Sequence, residues 1–408
     1  MLLRSYMEII SMKNISNTGS FKNFNLNNQI YVDKTEYIYN LLNWEARVFI
    51  SRPRRFGKSL TLDTIATLFE TGVDPYFKGT WIYDKWTEST YPVLRLNFLD
   101  FDNSSLDLYK KQLNSKITDF ANKIDVKGYV EKTEPEDSID HLLEHLEWED
   151  RQIVLLIDEY DYQLVSNISN EELYKQFQVE LQNIYNNLKD KFAIKFLLIT
   201  GVTRTKNSSA FSGTDINDIT NYSPYSQMMG FTREEIKKYY IDYLKLAASY
   251  ENNCSVDDVT DDKLESMLDK LEEQYGGYCF DEFYKKKVFN TWSVNSFFQS
   301  VMSNKKVEFC EYWDEDEVLP SVLVNYLKTH DLSVFENLDK DKIFKVTDYD
   351  FKFPPALTTI NPKVLMCQTG YLTLRSSLTD SNIVALGIPN AEIYKALNKL
   401  LATNSLKK

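Results

Sequence analysis

Gly57, Lys58 and Ser59 end the run R-P-R-R-F-G-K-S (52–59), and about a hundred residues later Asp158 and Glu159 close I-V-L-L-I-D-E (153–159). A phosphate chain is held by backbone N–H groups at the positive end of a helix. It also needs a lysine for the outer phosphates and a hydroxyl for magnesium. Gly57, Lys58 and Ser59 fill the last three positions of the phosphate-loop pattern G-x-x-x-x-G-K-[ST], but Arg52 stands where the first glycine belongs. A non-glycine residue forced into the left-handed conformation costs about 1–2 kcal/mol. The loop therefore either takes another backbone path or binds phosphate less well. Guanidinium pairs well with phosphate, so Arg52, Arg54 and Arg55 can compensate. The expected phosphate cradle is Arg52, Pro53, Arg54, Arg55, Phe56, Gly57, Lys58, Ser59 and Leu60.

Asp158 and Glu159 follow an apolar run, as at the tip of a buried strand. There Asp158 can hold Mg2+ with Ser59, and Glu159 can orient or deprotonate the attacking water. The plain alternative is two acids meeting solvent at a strand end. F-L-L-I-T-G-V-T-R (196–204) is a further strand with a polar end. Thr200 or Thr203 there can sense a γ-phosphate, and Arg204 can act on the nucleotide in cis or across a subunit boundary. Threonine as a structural strand end is the competing reading.

These residues need a scaffold, and the apolar patterning supplies one. Val48, Phe49 and Ile50 make a short buried strand, and the apolar residues from Leu60 to Phe69 recur at helical spacing. Strands are expected at 92–98, 153–157 and 196–199, and helices at 104–125, 136–148 and 170–190. The charged E-K-T-E-P-E-D (131–137) reads as a solvated loop, and the polar segment 203–227 as a long functional or mobile one. Helical patterns at 232–249, 260–273 and 291–303 follow, then a unit with a helix, strands at 371–374 and 383–386 and a terminal helix from Asn390. The expected fold is α/β: a P-loop NTPase core with a parallel sheet flanked by helices, a mostly helical region, and a small α+β, winged-helix-like C-terminal unit. The corresponding divisions are a lead-in (1–29), a P-loop domain (30–230), a helical domain (231–345) and the C-terminal unit (346–408).

The 408 residues carry a net charge of −13, which opposes non-specific duplex binding by the whole surface. A winged helix suggests DNA, but its basic residues Lys395, Lys399, Lys407 and Lys408 are few, and a small domain docked on the core is the stronger reading. Cys254, Cys279, Cys310 and Cys367 lie too far apart for a zinc or disulfide framework. His141 and His145 are four apart on a helix without a clear third ligand, and read as a solvated face. No apolar run suits a membrane span and no signal peptide is evident, so the default location is cytoplasmic.

The chain resembles the AAA-ATPase-like family of P-loop proteins. The likeness lies in Y-V-D-K-T-E (31–36), F-I-S-R-P-R-R-F-G-K-S-L (49–60), L-I-D-E-Y-D (156–161), I-T-G-V-T-R (199–204), F-S-G (211–213) and G-F-T-R-E-E-I (230–236). It continues through Y-G-G-Y-C-F (275–280), Q-T-G-Y-L-T (368–373) and L-G-I-P-N (386–390). The resemblance implies that Arg52 is a family variant, that ATP is the nucleotide, and that the acidic strand sits apart from the loop strand, as in AAA ATPases. Many members continue into a PD-(D/E)XK nuclease domain. Here the sequence stops soon after Asn390, and the E-x-K at Glu235–Lys237 falls in a helical pattern, so no nuclease site is expected and the chain is a shortened member or a fragment. Two functions remain open: a magnesium-dependent ATPase, or a nucleotide-binding switch with little turnover, either one compatible with an oligomer.

Overall fold

The computed structural model describes residues 12–204, 216–314, 322–323, 326, 330, 333–379 and 382–405. The F-S-G segment, Lys407 and Lys408 lie outside them.

Five parallel strands build the main sheet: β1 (Arg47–Ser51), β2 (Val93–Asn97), β3 (Ile153–Asp158), β4 (Ile194–Gly201) and β5 (Asn217–Asp218). β3 is buried along its whole length, which is why its sequence is a continuous apolar run instead of an alternating one. The spatial order is β2-β3-β4-β1-β5. The acidic strand β3 is thus separated from the loop strand β1 by β4, while β2, which lies between them in sequence, sits at the edge. Parallel registers align the strand ends: Ser51 with Gly201, Ile157 with Ile199, and Asn97 with Asp158. In open α/β sheets ligands bind beyond such carboxyl ends. The helices Lys58–Thr71, Leu106–Lys123, Pro135–Trp148 and Glu171–Asn187 lie between successive strands of this sheet in the chain.

The next region is helical: Arg233–Tyr239, Ile241–Asn252, Asp261–Tyr275 and Thr291–Asn304. The single pattern at 232–249 is broken at Tyr240, and a capping box between Thr232 and Glu235 starts its first half. These helices share an apolar cluster with Ile30 and Val32 at the start of the P-loop domain. The C-terminal unit pairs β6 (Phe344–Thr347), β8 (Ile383–Gly387) and β7 (Thr373–Leu374) antiparallel in the order β6-β8-β7, beside the helices Pro362–Gln368 and Ala391–Ser405. Its apolar residues, among them Val346, Leu365, Val384 and Leu397, are continuous with the core of the main sheet.

Two local expectations fail. Residues 131–137 are not simply a solvated loop, because Pro135 begins a helix directly after Glu134, a position where proline costs nothing. His145 is not on a solvated face: it is buried, its ring 4.1 Å from that of His141 and 4.4 Å from Trp148.

Candidate functional site

The loop leaves β1 at Ser51 and enters its helix through Gly57, whose φ of +90° suits a residue without a side chain. Arg52 is not among the residues with positive φ. The loop's left-handed non-glycine position is Arg55, at φ +69°. The missing first glycine therefore changes the backbone path and imposes no strain at Arg52.

Arg52 also differs from the expected phosphate ligand in where its side chain goes. It is 1% exposed and donates to the carbonyls of Ser51 (2.8 Å), Thr220 (2.6 Å) and Tyr225 (3.4 Å). Its guanidinium lies 4.3 Å from the Phe280 ring centre, and burial pulls its pKa down to about 9. Pro53 packs with Arg52 on this rear side, where both line a small cavity shared with the C-terminal unit. Phe56 is buried edge-on against Tyr278 and Phe280. Arg55 donates to the carbonyls of Tyr312 (2.5 Å) and Trp313 (2.7 Å) and lies over Trp292. Arg54, Leu60 and Gly57 line the front cavity with Arg55 and Phe56.

The four central residues do converge. Ser59 Oγ donates to Asp158 Oδ2 at 2.6 Å, and Thr200 Oγ1 donates to Asp158 Oδ1 at 2.7 Å. Lys58 Nζ lies 3.5 Å from Glu159 Oε1 and donates to the carbonyls of Arg52 and Pro53. Glu159 sits at φ +50°, a conformation that cluster-forming active sites tolerate at a cost. Burial pushes its carboxyl above the usual range, and Lys58 opposes that shift. A hydroxyl and a carboxylate in contact are hard oxygen donors of the kind Mg2+ takes from a protein, so Ser59 and Asp158 fit that ion.

Thr203 and Arg204 are not brought to this point. Thr203 donates through both its amide (2.7 Å) and its hydroxyl (2.5 Å) to the buried Asp161. Arg204 is spent on Asp218 (3.2 Å) and the carbonyls of Phe351 (2.9 Å) and Lys352 (3.0 Å). Gly201 between the two threonines has no room for a side chain, since a Cβ there would lie 2.5 Å from Asp161 Oδ1.

A cavity of about 360 Å³ opens in front of the loop. That volume is within the roughly 300–1,000 Å³ of small-ligand sites. Lys58, Ser59 and Glu159 line one end, and the lead-in residues 16–19, Tyr31, Met229, Trp292 and Asn295 line the rest. These last residues were not singled out from sequence as site residues. Lys34 is a joint beside them: its buried ammonium donates to Glu235 (2.6 Å) and to the Gln227 carbonyl (2.8 Å), tying the start of the P-loop domain to the helical region. The signal was present, since Lys34 and Glu235 each sit in a motif of the resemblance, but nothing in the spacing said that the two motifs meet.

Residues 16–211 match the AAA-ATPase-like family, described as predicted AAA-ATPase. On that match the chain carries a nucleotide-binding P-loop core, and the loop, Asp158, Glu159, Thr200 and Arg204 all fall inside the matched span. The chain is also 29% identical over 387 residues to an uncharacterized protein in the vnfD 5' region of Azotobacter chroococcum mcd 1. The alignment covers 91% of this chain and 66% of that protein, so the chain spans just under two thirds of its relative's length. Among solved structures, Cdc6p from Pyrobaculum aerophilum aligns over 91% of this chain and 93% of its own, at 11% identity and a TM-score of 0.28, too distant to carry an inference. No helix among the described residues is long and apolar enough to cross a membrane.

Proposed function

We propose that the protein is a magnesium-dependent ATPase. The observation that carries the reading is the Ser59–Asp158 contact at 2.6 Å beside the Lys58–Glu159 pair, with Lys58, Ser59 and Glu159 lining the cavity of about 360 Å³. The loop amides and Lys58 hold the outer phosphates, as the positive end of a helix and a fixed ammonium favour. Ser59 and Asp158 hold Mg2+, which neutralises charge on the phosphates when bound. Thr200 fixes Asp158 through its second oxygen. Glu159 orients water and takes its proton, and a carboxyl whose pKa is raised by burial is a better base for that task. Nucleotide entry draws Lys58 toward the phosphates and frees Glu159 from it. ATP over other nucleotides rests on the family match.

A nucleotide-gated switch with little turnover is the second reading, favoured by one observation. The loop is bonded through Arg55 to the 312–313 segment, and Glu392 of the last helix accepts from the amides of both those residues (2.6 and 3.0 Å), so movement of the loop has a direct path to the C-terminal unit. Titration with ATP and with ADP beside a phosphate-release assay separates the two. Turnover abolished by Glu159→Gln supports the ATPase. Tight binding without turnover supports the switch, and absence of binding removes both.

A further inference from the structure

The acidic stretch at 131–137 meets a partner outside the nucleotide site. Glu134 stands at the N-cap position of the Pro135–Trp148 helix, Glu136 lies in its first turn, and both face Glu180 of the Glu171–Asn187 helix. One oxygen from each of these three carboxylates lies within 4.8 Å of the others. A helix start attracts carboxylates, which accounts for Glu134 and Glu136. It does not account for Glu180, which is mid-helix and 3% exposed.

Lys110 supplies one positive charge against the three carboxylates, its Nζ 2.5 Å from Glu134 and 3.0 Å from Glu180. Buried oxygens in the same place go unused. Among the described residues, Glu180 Oε1 and Glu136 Oε2 have no hydrogen-bond partner, and Asn183 occupies only the other oxygen of Glu136. The Tyr109 hydroxyl is the independent sign. It is fully buried and unpartnered, and Glu180 and Glu136 are the charged groups that act on it. Asn114, one turn beyond Lys110 on the same helix face, is also buried with its Oδ1 unpartnered. Unused buried oxygens are costly, and a cluster of them around excess negative charge is the setting a hard cation satisfies.

We infer that Glu134, Glu136, Glu180 and the Tyr109 hydroxyl form a binding site for a hard divalent cation of the Mg2+, Mn2+ and Ca2+ class, separate from the nucleotide site. Lys110 stands in for the ion when none is bound. Its side chain keeps 23% of its surface exposed, so it can swing outward when the metal enters. The bound ion ties together three helices that already pack on one another, those carrying Tyr109, Glu136 and Glu180.

The test is a Mn2+ titration of the full chain without nucleotide, with free Mn2+ read by electron paramagnetic resonance and thermal unfolding followed in parallel. The wild type takes up Mn2+ with a rise in Tm. Glu180→Gln weakens that uptake by about tenfold or more, and Lys110→Met, which removes the competing ammonium, strengthens it by a similar factor. The part of the uptake that Glu180→Gln weakens persists in Asp158→Asn, which separates this site from the loop. Should Glu180→Gln fail to fold, Lys110→Met decides alone. Lack of Mn2+ uptake by Lys110→Met, or uptake unchanged by Glu180→Gln, overturns the site and leaves the ATPase reading untouched.

Discussion

The front and the back of the phosphate loop use the same residue types to opposite ends. On the front, Lys58 and Ser59 meet the carboxylates of Glu159 and Asp158, contacts that a phosphate or a metal can replace. Arg52 on the back, and Arg55 at the edge of the front cavity, instead donate to main-chain carbonyls of residues 51, 220, 225, 312 and 313 and lie over the rings of Phe280 and Trp292. A carbonyl has no counter-charge to trade, so these bonds hold the loop in shape whether or not a ligand is present. Four cations within seven residues are thus divided between fold and chemistry by the direction in which the backbone aims them.

The largest effect that sharpens this contrast is expected at the front. Glu159→Gln retains ATP binding while phosphate release falls by about a thousandfold, the middle of the range for a lost general base. Single-turnover kinetics with saturating ATP measure it, and an unchanged rate would show that Glu159 is not the base.

At the back the expected loss is in stability. Arg52→Ala strips three buried carbonyls of a donor and costs about 3 kcal/mol, at about 1 kcal/mol for each. Urea unfolding without nucleotide reads the change. A loss well under 1 kcal/mol, combined with weaker ATP binding, would place Arg52 on the front after all.

Lys58→Ala reverses that pattern, lowering ATP affinity by about a hundredfold, or about 2.7 kcal/mol. Its unfolding free energy moves by less than about 1 kcal/mol, because an alanine there leaves two carbonyls and one partly exposed glutamate to rearrange. Calorimetric titration beside the same urea series tests both halves.

The last effect, read as a pH slope, concerns the far end of the rear network. Burial holds the Glu392 carboxyl up to about 7, above its ordinary 4.5. Between those values the folded chain keeps a proton that the unfolded chain has released. The contribution of Glu392 to stability therefore falls as pH rises through that window and levels off above 7. Glu392→Gln removes up to about 1.4 kcal/mol per pH unit from the slope of unfolding free energy between pH 5 and 7. Equal slopes in the two proteins would mean that the carboxyl titrates normally and carries no burial cost.

Much of the scaffold was legible because burial on both faces leaves apolar runs. β1, β3 and β4 are such runs, and the helix after Gly57 follows from its glycine and its spacing. β5 was not legible, since Asn217–Asp218 is two exposed polar residues whose strand character comes only from pairing with β1. β6 alternates buried and exposed over four residues, too short a pattern to stand out.

The sequence by itself determined which residues could bind a phosphate chain and a metal, because Gly57, Lys58, Ser59, Asp158 and Glu159 are types that few other tasks demand in that order. It also carried the parallel α/β core, through apolar runs that are stable only when covered on both sides. Tertiary structure alone decided which cations face the front cavity, since Arg52 and Arg54 look alike in sequence while of the two Arg54 lines it. It also brought Lys34 to Glu235 and Glu134 to Glu180, and left Arg204 on the C-terminal unit. Side-chain direction and long-range pairing depend on where the whole chain closes, and residue type with local spacing does not encode that closure.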